Sequence, residues 1–250
     1  MRKLILLLLP LIAIACSKEK EKEPDYISLD KQNLALYYGE EKSVLVSTNV
    51  EYFSAESEDE YFADAIANIS TIDVYANKVG KTKIKVMAGE ASAELEVEVK
   101  TTDDRIGNPV VAIGEDAVYI KANETAKYLG DANGSGDLFY SDSEVPFGAN
   151  HAYRFKSGKL SYILTTIEIS KLNSSYDTYL IQLSNSLKEK YDYISSVQGE
   201  YQLVYMYQFK NGEYYIGTRK GSGNGGWYVC YAKTQDEVMN ILDKHPSIAI

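Results

Sequence analysis

The chain is short of the residues on which most catalytic and metal centres are built. It has two cysteines, two histidines and one tryptophan in 250 residues. Two cysteines cannot build a disulfide scaffold, and Cys16 and Cys230 stand far apart in sequence. Two histidines, His151 and His245, cannot form a zinc site with one cysteine unless carboxylates join, and no ligand spacing supports that. Basic residues are also scarce: 26 Lys and Arg against 36 Asp and Glu leave a net charge of −10. An acidic body excludes nucleic acid as a partner and excludes electrostatic adhesion to anionic lipid headgroups. Long apolar runs are absent except one, Leu4 to Ile14, which is too short to span a bilayer.

That run is informative. Arg2 and Lys3 precede it, and Ala13-Ile14-Ala15 place small residues just before Cys16. The pattern is that of a secretory signal peptide over residues 1–15. With a cysteine directly after the cleavage site, the stretch resembles the lipobox of bacterial lipoproteins, although Ala13 stands where Leu is more usual. The resemblance implies acylation at Cys16 and a mature chain that begins there. Loss of Arg2 and Lys3 takes the net charge from −10 to −12. Acyl chains, rather than surface charge, would then hold the protein to a membrane. Residues 16–25 form a charged linker, Ser17-Lys-Glu-Lys-Glu-Lys-Glu-Pro24, with too little apolar content to enter a core. A patch of this kind after a lipidated cysteine also resembles the signal that sends some Gram-negative lipoproteins to the outer face of the outer membrane. The localisation expected is therefore the outer membrane, lipid-anchored, and exposed on the cell surface.

From Tyr26 to Lys100 the pattern is all-β. Ile27 and Leu29, Leu34 and Leu36, Val44 and Val46, Ile72 and Val74, Ile84 and Val86, then Leu95, Val97 and Val99 alternate with polar residues, with turns at Gly39-Glu40 and Gly89-Glu90. Short alternating strands predict a β-sandwich over residues 26–100. Ile27-Ser-Leu-Asp30, Leu34-Ala-Leu36 ahead of Gly39-Glu40, and the segment from Val74 through Gly80 to Val86 resemble the group 2 bacterial Ig-like domains. The acidic stretch from Glu56 to Asp64 departs from that family's pattern. The resemblance implies a spacer or adhesive module without catalytic residues. Thr101 to Asp104 reads as a polar hinge.

Residues 105–250 follow another grammar. A short helix is expected over Glu115–Ala122, a hairpin around Ser157-Gly158, and a helix from Ser174 that presents Tyr176, Leu180, Leu183, Leu187 and Tyr191 on one face. A second hairpin follows, with Asn211-Gly212 as its type I′ turn. Trp227–Tyr231 reads as a buried strand, and a last helix starts at the capping box Thr234 to Glu237. The fold class read from this order is multidomain: an Ig-like sandwich, then an α+β domain whose antiparallel sheet carries helices on one face. The second part also resembles uncharacterised sheet-and-helix domains at the ends of other bacterial lipoproteins.

Candidate chemistry is sparse. Asp131, Asn133, Ser135 and Asp137, with Gly136 and then Asp142 at position twelve, mimic a calcium loop, so calcium is the one cofactor suggested. Cys230 lies between aromatic residues in an apolar strand and lacks the polar surroundings that activate a thiol. Asp137, Asp142 and Glu144 are the carboxylates from which a glycoside-hydrolase pair could be drawn. The Gly-rich stretch Gly221 to Gly226 lacks the Lys-Ser/Thr of a phosphate loop. Tyrosine, at 22 residues, is the compositional excess. Tyr201, Tyr205 and Tyr207 share one strand parity, and with Tyr214 and Tyr215 they mark the expected ligand face, since tyrosine joins a flat apolar body to a polar tip. The function expected is a non-catalytic envelope lipoprotein that binds a glycan or protein ligand. The alternatives are a small surface hydrolase or an accessory subunit of an envelope complex.

Overall fold

The computed structural model describes residues 23–131, 136–145, 148–167, 176–200, 202–221 and 226–244, with the side chains of residues 176 and 177 excluded. Cys16, Asn133, Ser135, Ser174, Tyr201 and His245 thus lie outside the described residues.

The first eight strands are β1 (Ile27–Leu29), β2 (Asn33–Tyr37), β3 (Glu41–Thr48), β4 (Ser54–Ser57), β5 (Ala63–Ala67), β6 (Thr71–Ala76), β7 (Gly80–Ala88) and β8 (Ala91–Lys100). They form two four-stranded sheets, β1-β3-β6-β5 and β2-β8-β7-β4. Leu34, Leu36, Val44, Ile72, Val74, Ile84, Val86, Leu95, Val97 and Val99 are buried in one core between them. The alternating residues named from sequence are therefore the ones that close the sandwich, and their polar neighbours face water. The acidic stretch that broke the pattern holds the end of β4 and the start of β5, short strands at the sheet edges.

The remaining strands build one eight-stranded antiparallel sheet, in the order β13-β14-β15-β16-β12-β11-β10-β9. They are β9 (Lys127–Asp131), β10 (Leu138–Asp142), β11 (Ala149–Lys156), β12 (Lys159–Ile167), β13 (Asp192–Gln198), β14 (Leu203–Phe209), β15 (Tyr214–Lys220) and β16 (Trp227–Ala232). Among the described residues three helices accompany them: α1 (Ala117–Asn123), α2 (Tyr176–Lys190) and α3 (Gln235–Lys244).

The structure corrects the expected α+β class. Among the described residues 52% are in strands and 15% in helices, arranged in three sheets. The helices are not gathered on one face either. Tyr179, Leu183, Leu187 and the adjoining Tyr191 pack into a core with Tyr153, Ile163, Tyr207 and Val229 on one side of the sheet. Val238 and Leu242 of α3 pack on the other side with Leu164, Val204, Met206 and Cys230. The physical reason is visible in β16, whose six residues are all buried. A sheet with no partner sheet and apolar residues on both faces must cover both. On the second face α3 comes so close that a Cβ on Gly217 would stand 2.3 Å from Val238 Cγ1. Helix α3 begins at the expected capping box: Glu237 N donates to Thr234 Oγ1 at 3.2 Å, and Thr234 N donates to the Glu237 carboxylate at 3.2 Å.

Candidate functional site

The most elaborated part of the molecule is the junction where the sandwich meets the end of α2. A helix leaves its last four carbonyls without intrahelical partners. Here the sandwich supplies the donors. Lys78 Nζ donates to Lys188 O at 2.9 Å and to Tyr191 O at 3.3 Å. Val79 N donates to Glu189 O at 2.9 Å, and the Tyr61 phenol donates to Lys190 O at 3.2 Å. Lys78 also pairs with Asp192 at 3.2 Å, so a cation sits where the helix dipole favours one.

The segment that follows β8, read from sequence as a hinge, is instead a hydrogen-bonded strap. Thr101 Oγ1 and both donors of Thr102 bond the Glu189 carboxylate. The Lys190 ammonium, nearly excluded from solvent, donates to both oxygens of Asp104 at 2.9 Å, to Gly107 O at 2.8 Å and to Asn108 Oδ1 at 2.9 Å. Burial opposes charge on Asp104, but the neighbouring ammonium and the N–H groups of Ile106 and Gly107 outweigh it and hold the carboxyl below its usual range. Burial lowers the Lys190 pKa, with Asp104 working against that.

The third contact is the β14–β15 tip. Phe209 O accepts from Gly212 N at 3.0 Å and Glu213 N at 2.9 Å, and Lys210 and Asn211 take φ values of 40° and 57°. The expected hairpin exists, but Asn211-Gly212 is not the central pair of a two-residue type I′ turn: the loop is residues 210–213, and Lys210, Asn211 and Gly212 all take positive φ. Lys210 Nζ binds Asp59 and lies 4.6 Å from the Phe62 ring centroid. Phe209 meets Tyr61 edge-on, with centroids 5.2 Å apart.

Beside this junction lies a pocket of about 500 Å³, lined among others by Asn108, Tyr119, Tyr191, Phe209, Tyr214 and Lys233. Phe209 and Tyr214 stack at 4.9 Å with their planes 16° apart, and Tyr191 stands edge-on to both. Glu213 and Glu115 add carboxylates to the wall. Burial, then the neighbouring Tyr191 phenol, pushes the Tyr214 phenol up, so it stays a neutral donor and acceptor. The arrangement offers flat aromatic surface edged with amide, carboxylate and ammonium groups. A second cavity, of about 540 Å³, lies on the outer sheet of the sandwich. Its charges are exposed ladder pairs such as Lys81–Glu98 at 3.2 Å, which water satisfies equally well.

The tyrosines named from sequence are divided by the fold. Tyr207 is fully buried beneath α2, its phenol 3.2 Å from Ser184 Oγ. Tyr205 and Tyr214 are half-buried on that same face, whereas Tyr215 packs on the opposite face. Of the four described, Tyr214 alone lines the pocket. Sequence reasoning missed Tyr119, Glu213 and Lys233 as pocket residues, and placed Tyr191 only on the apolar face of a helix. The available signal was an aromatic residue at the end of that helix and another directly after a turn.

Among the described residues, which exclude Asn133 and Ser135, the calcium candidates form no metal-holding cluster. Asp137 is spent on Arg154 at 2.8 Å and on Phe155 N at 3.0 Å. Asp131 accepts from the Tyr128 phenol and lies 3.6 Å from Lys121. Asp142 ends β10, so about 16 Å of extended chain separates it from Asp137, whereas ligands of one calcium ion lie about 2.3–2.6 Å from it. The same span divides Asp137 from Asp142 as a hydrolytic pair. Glu144 lines a polar cavity of about 360 Å³ together with Asp142 and Asn108. His151 and Cys230 face opposite sides of the sheet: the ring bonds Thr165 at 2.8 Å on the α2 side, and the thiol packs on the α3 side. Burial raises the Cys230 pKa, the opposite of an activated nucleophile.

No family model matches the chain, and no curated protein matches it. Similar solved structures include domains 4 and 5 of the S-layer protein SbsC, at 17% identity and TM-score 0.26, over 29% of this chain and 50% of that one. Domains 5–6 of SbsC align at 11% identity and TM-score 0.28, over 83% of each chain. An IG27 protein domain aligns at 13% identity and TM-score 0.23, over 30% of this chain and 94% of that one. The chain thus spans half the length of the first of these. At such TM-scores the likenesses carry no argument about what this chain does.

Proposed function

We propose that the protein is a cell-envelope lipoprotein, acylated at Cys16, that binds glycan in the pocket beside the junction. The observation that carries the binding half of this reading is the pocket wall itself. Phe209, Tyr214, Tyr191 and Tyr119 line a concave space together with Asn108, Glu115, Glu213 and Lys233, and Phe209 and Tyr214 stack on each other. A pyranose has an apolar face for such rings and hydroxyls for such polar groups, and the volume lies within the range of small-molecule sites. The anchoring half rests on the Arg2-Lys3 start, the apolar run and the small residues before Cys16. The reading is non-catalytic, because the carboxylates of the wall lack the buried, paired setting that tunes an acid and a base apart.

A glycan array probed with the mature chain tests the binding half. Tyr119 is the variant of choice because it lines the pocket, is exposed and stands in the short helix α1. Tyr119→Ala should cost about tenfold in affinity, the worth of one lost ring contact of about 1.4 kcal/mol. An unchanged array profile, or hydrolysis of the bound sugars, would sink the proposal. Cys16→Ser should move the protein from the membrane fraction to the soluble one.

A further inference from the structure

Three residues that line the pocket are also points at which the sandwich takes hold. Tyr191 offers its carbonyl to Lys78. Phe209 meets the rings of Tyr61 and Phe62 of the sandwich as well as that of Tyr214. Asn108 is fixed by Lys190, whose own carbonyl accepts the Tyr61 phenol. These residues belong to a helix end, a hairpin tip and an irregular strap, the kinds of element that open most readily by themselves. The tip also holds two non-glycine residues, Lys210 and Asn211, at positive φ, a conformation that costs energy unless neighbours enforce it. The neighbours that enforce it are Asp59 and Phe62 of the sandwich.

We propose that the sandwich is the positioning element of the pocket: its docking on the end of α2 and on the β14–β15 tip holds the pocket in its binding form, so docking and ligand binding strengthen each other. Undocked, α2 loses the donors to its last carbonyls, the tip loses its clamp, and the Tyr191, Phe209 and Asn108 walls lose their fixed positions together. Linkage makes the effect reciprocal: whatever the sandwich adds to ligand affinity, bound ligand adds to docking. The inference rests on the proposed binding role of the pocket only for the nature of the ligand.

The test uses the full mature chain with Asp59→Asn and Lys78→Gln combined. Asp59→Asn keeps the side-chain shape, Lys78→Gln leaves a shorter polar side chain, and both remove a charge and lie outside the pocket. Amide exchange at residues 188–192 and 209–214 should rise about tenfold, and affinity for tetra-N-acetylchitotetraose should fall about tenfold, within the usual span of such couplings. Asp59→Glu with Lys78→Arg should restore both readouts. Lys83→Ala, which removes an exposed sandwich pair with Glu94, should move neither. Unchanged exchange at 209–214 overturns the proposal, and so does faster exchange with unchanged affinity. If the wild-type chain ignores the tetrasaccharide, the glycan reading fails, and exchange at the pocket residues alone then decides the coupling.

Discussion

The sandwich and the eight-stranded sheet solve the same problem in opposite ways. In the sandwich, two small sheets turn one face to each other and leave their outer faces to water. The larger sheet has no partner sheet and buries both of its own faces, one under α2 and the strap, the other under α3. The consequence reaches the charges. Ion pairs of the sandwich, such as Lys83–Glu94 and Lys81–Glu98, stand in solvent, whereas the Lys190–Asp104 pair at the end of α2 is enclosed and its ammonium fully hydrogen-bonded. The exposed ladder pairs add little that water does not, whereas the enclosed pair is a structural rivet.

Removing one partner from each kind of pair should break that contrast most visibly. Lys190→Ala leaves the Asp104 carboxylate enclosed without its counter-ion, and loss of a buried partner costs about 3–5 kcal/mol. Lys83→Ala should leave stability close to that of the wild type. Denaturant unfolding of the two variants measures both. Equal effects would mean that the strap is not held as described.

Acid distinguishes the regions more gently. The sandwich holds no histidine, since the two in the chain are His151 and His245. His151 lies enclosed in the large sheet, and burial depresses its pKa below the usual value of 6.5; Glu124, Asp142 and Asp104 pull it upward, and Lys190 pushes it down. The unfolded chain takes up this proton near pH 6.5 and the folded chain resists it. Stability is therefore complete above pH 6.5 and is lost as pH falls from there toward the depressed folded value, by at most about 1.4 kcal/mol per pH unit. Asp104, held low when folded, adds a further loss only as pH falls below 3.8. His151→Gln should flatten the decline between pH 7.5 and 5.5. A wild-type curve that is level over this range would show that His151 titrates normally.

The same contrast explains what the sequence revealed. Strands of the sandwich alternate because one face is wet, so Leu34, Leu36, Val97 and Val99 announced their core by period two alone. In the large sheet that signal is erased. Tyr205 and Tyr207 looked like a candidate ligand face because their strand is apolar on both sides, and nothing local says that α2 closes over them. Strand β13 went unread because Tyr193, Ser195 and Val197 sit on an edge with a register shift and no clean alternation. The capping box of α3 and the strand around Cys230 were legible, being local in cause. The pocket was not. Its walls come from residues 108, 119, 191, 209, 214 and 233, which meet only through the sheet topology and the docking of the sandwich.

That docking is most directly tested by whether the two regions unfold together. Trp227, the single tryptophan, is buried in the large sheet, so its fluorescence reports that region alone. Amide exchange of Val44, Ile84 and Val97 reports the sandwich core. If the trans-capping of α2, the strap and the Lys210 clamp join the regions, both probes will give one midpoint and one unfolding free energy in the same denaturant series. Two separated transitions, with Trp227 unchanged while the sandwich core opens, would contradict it.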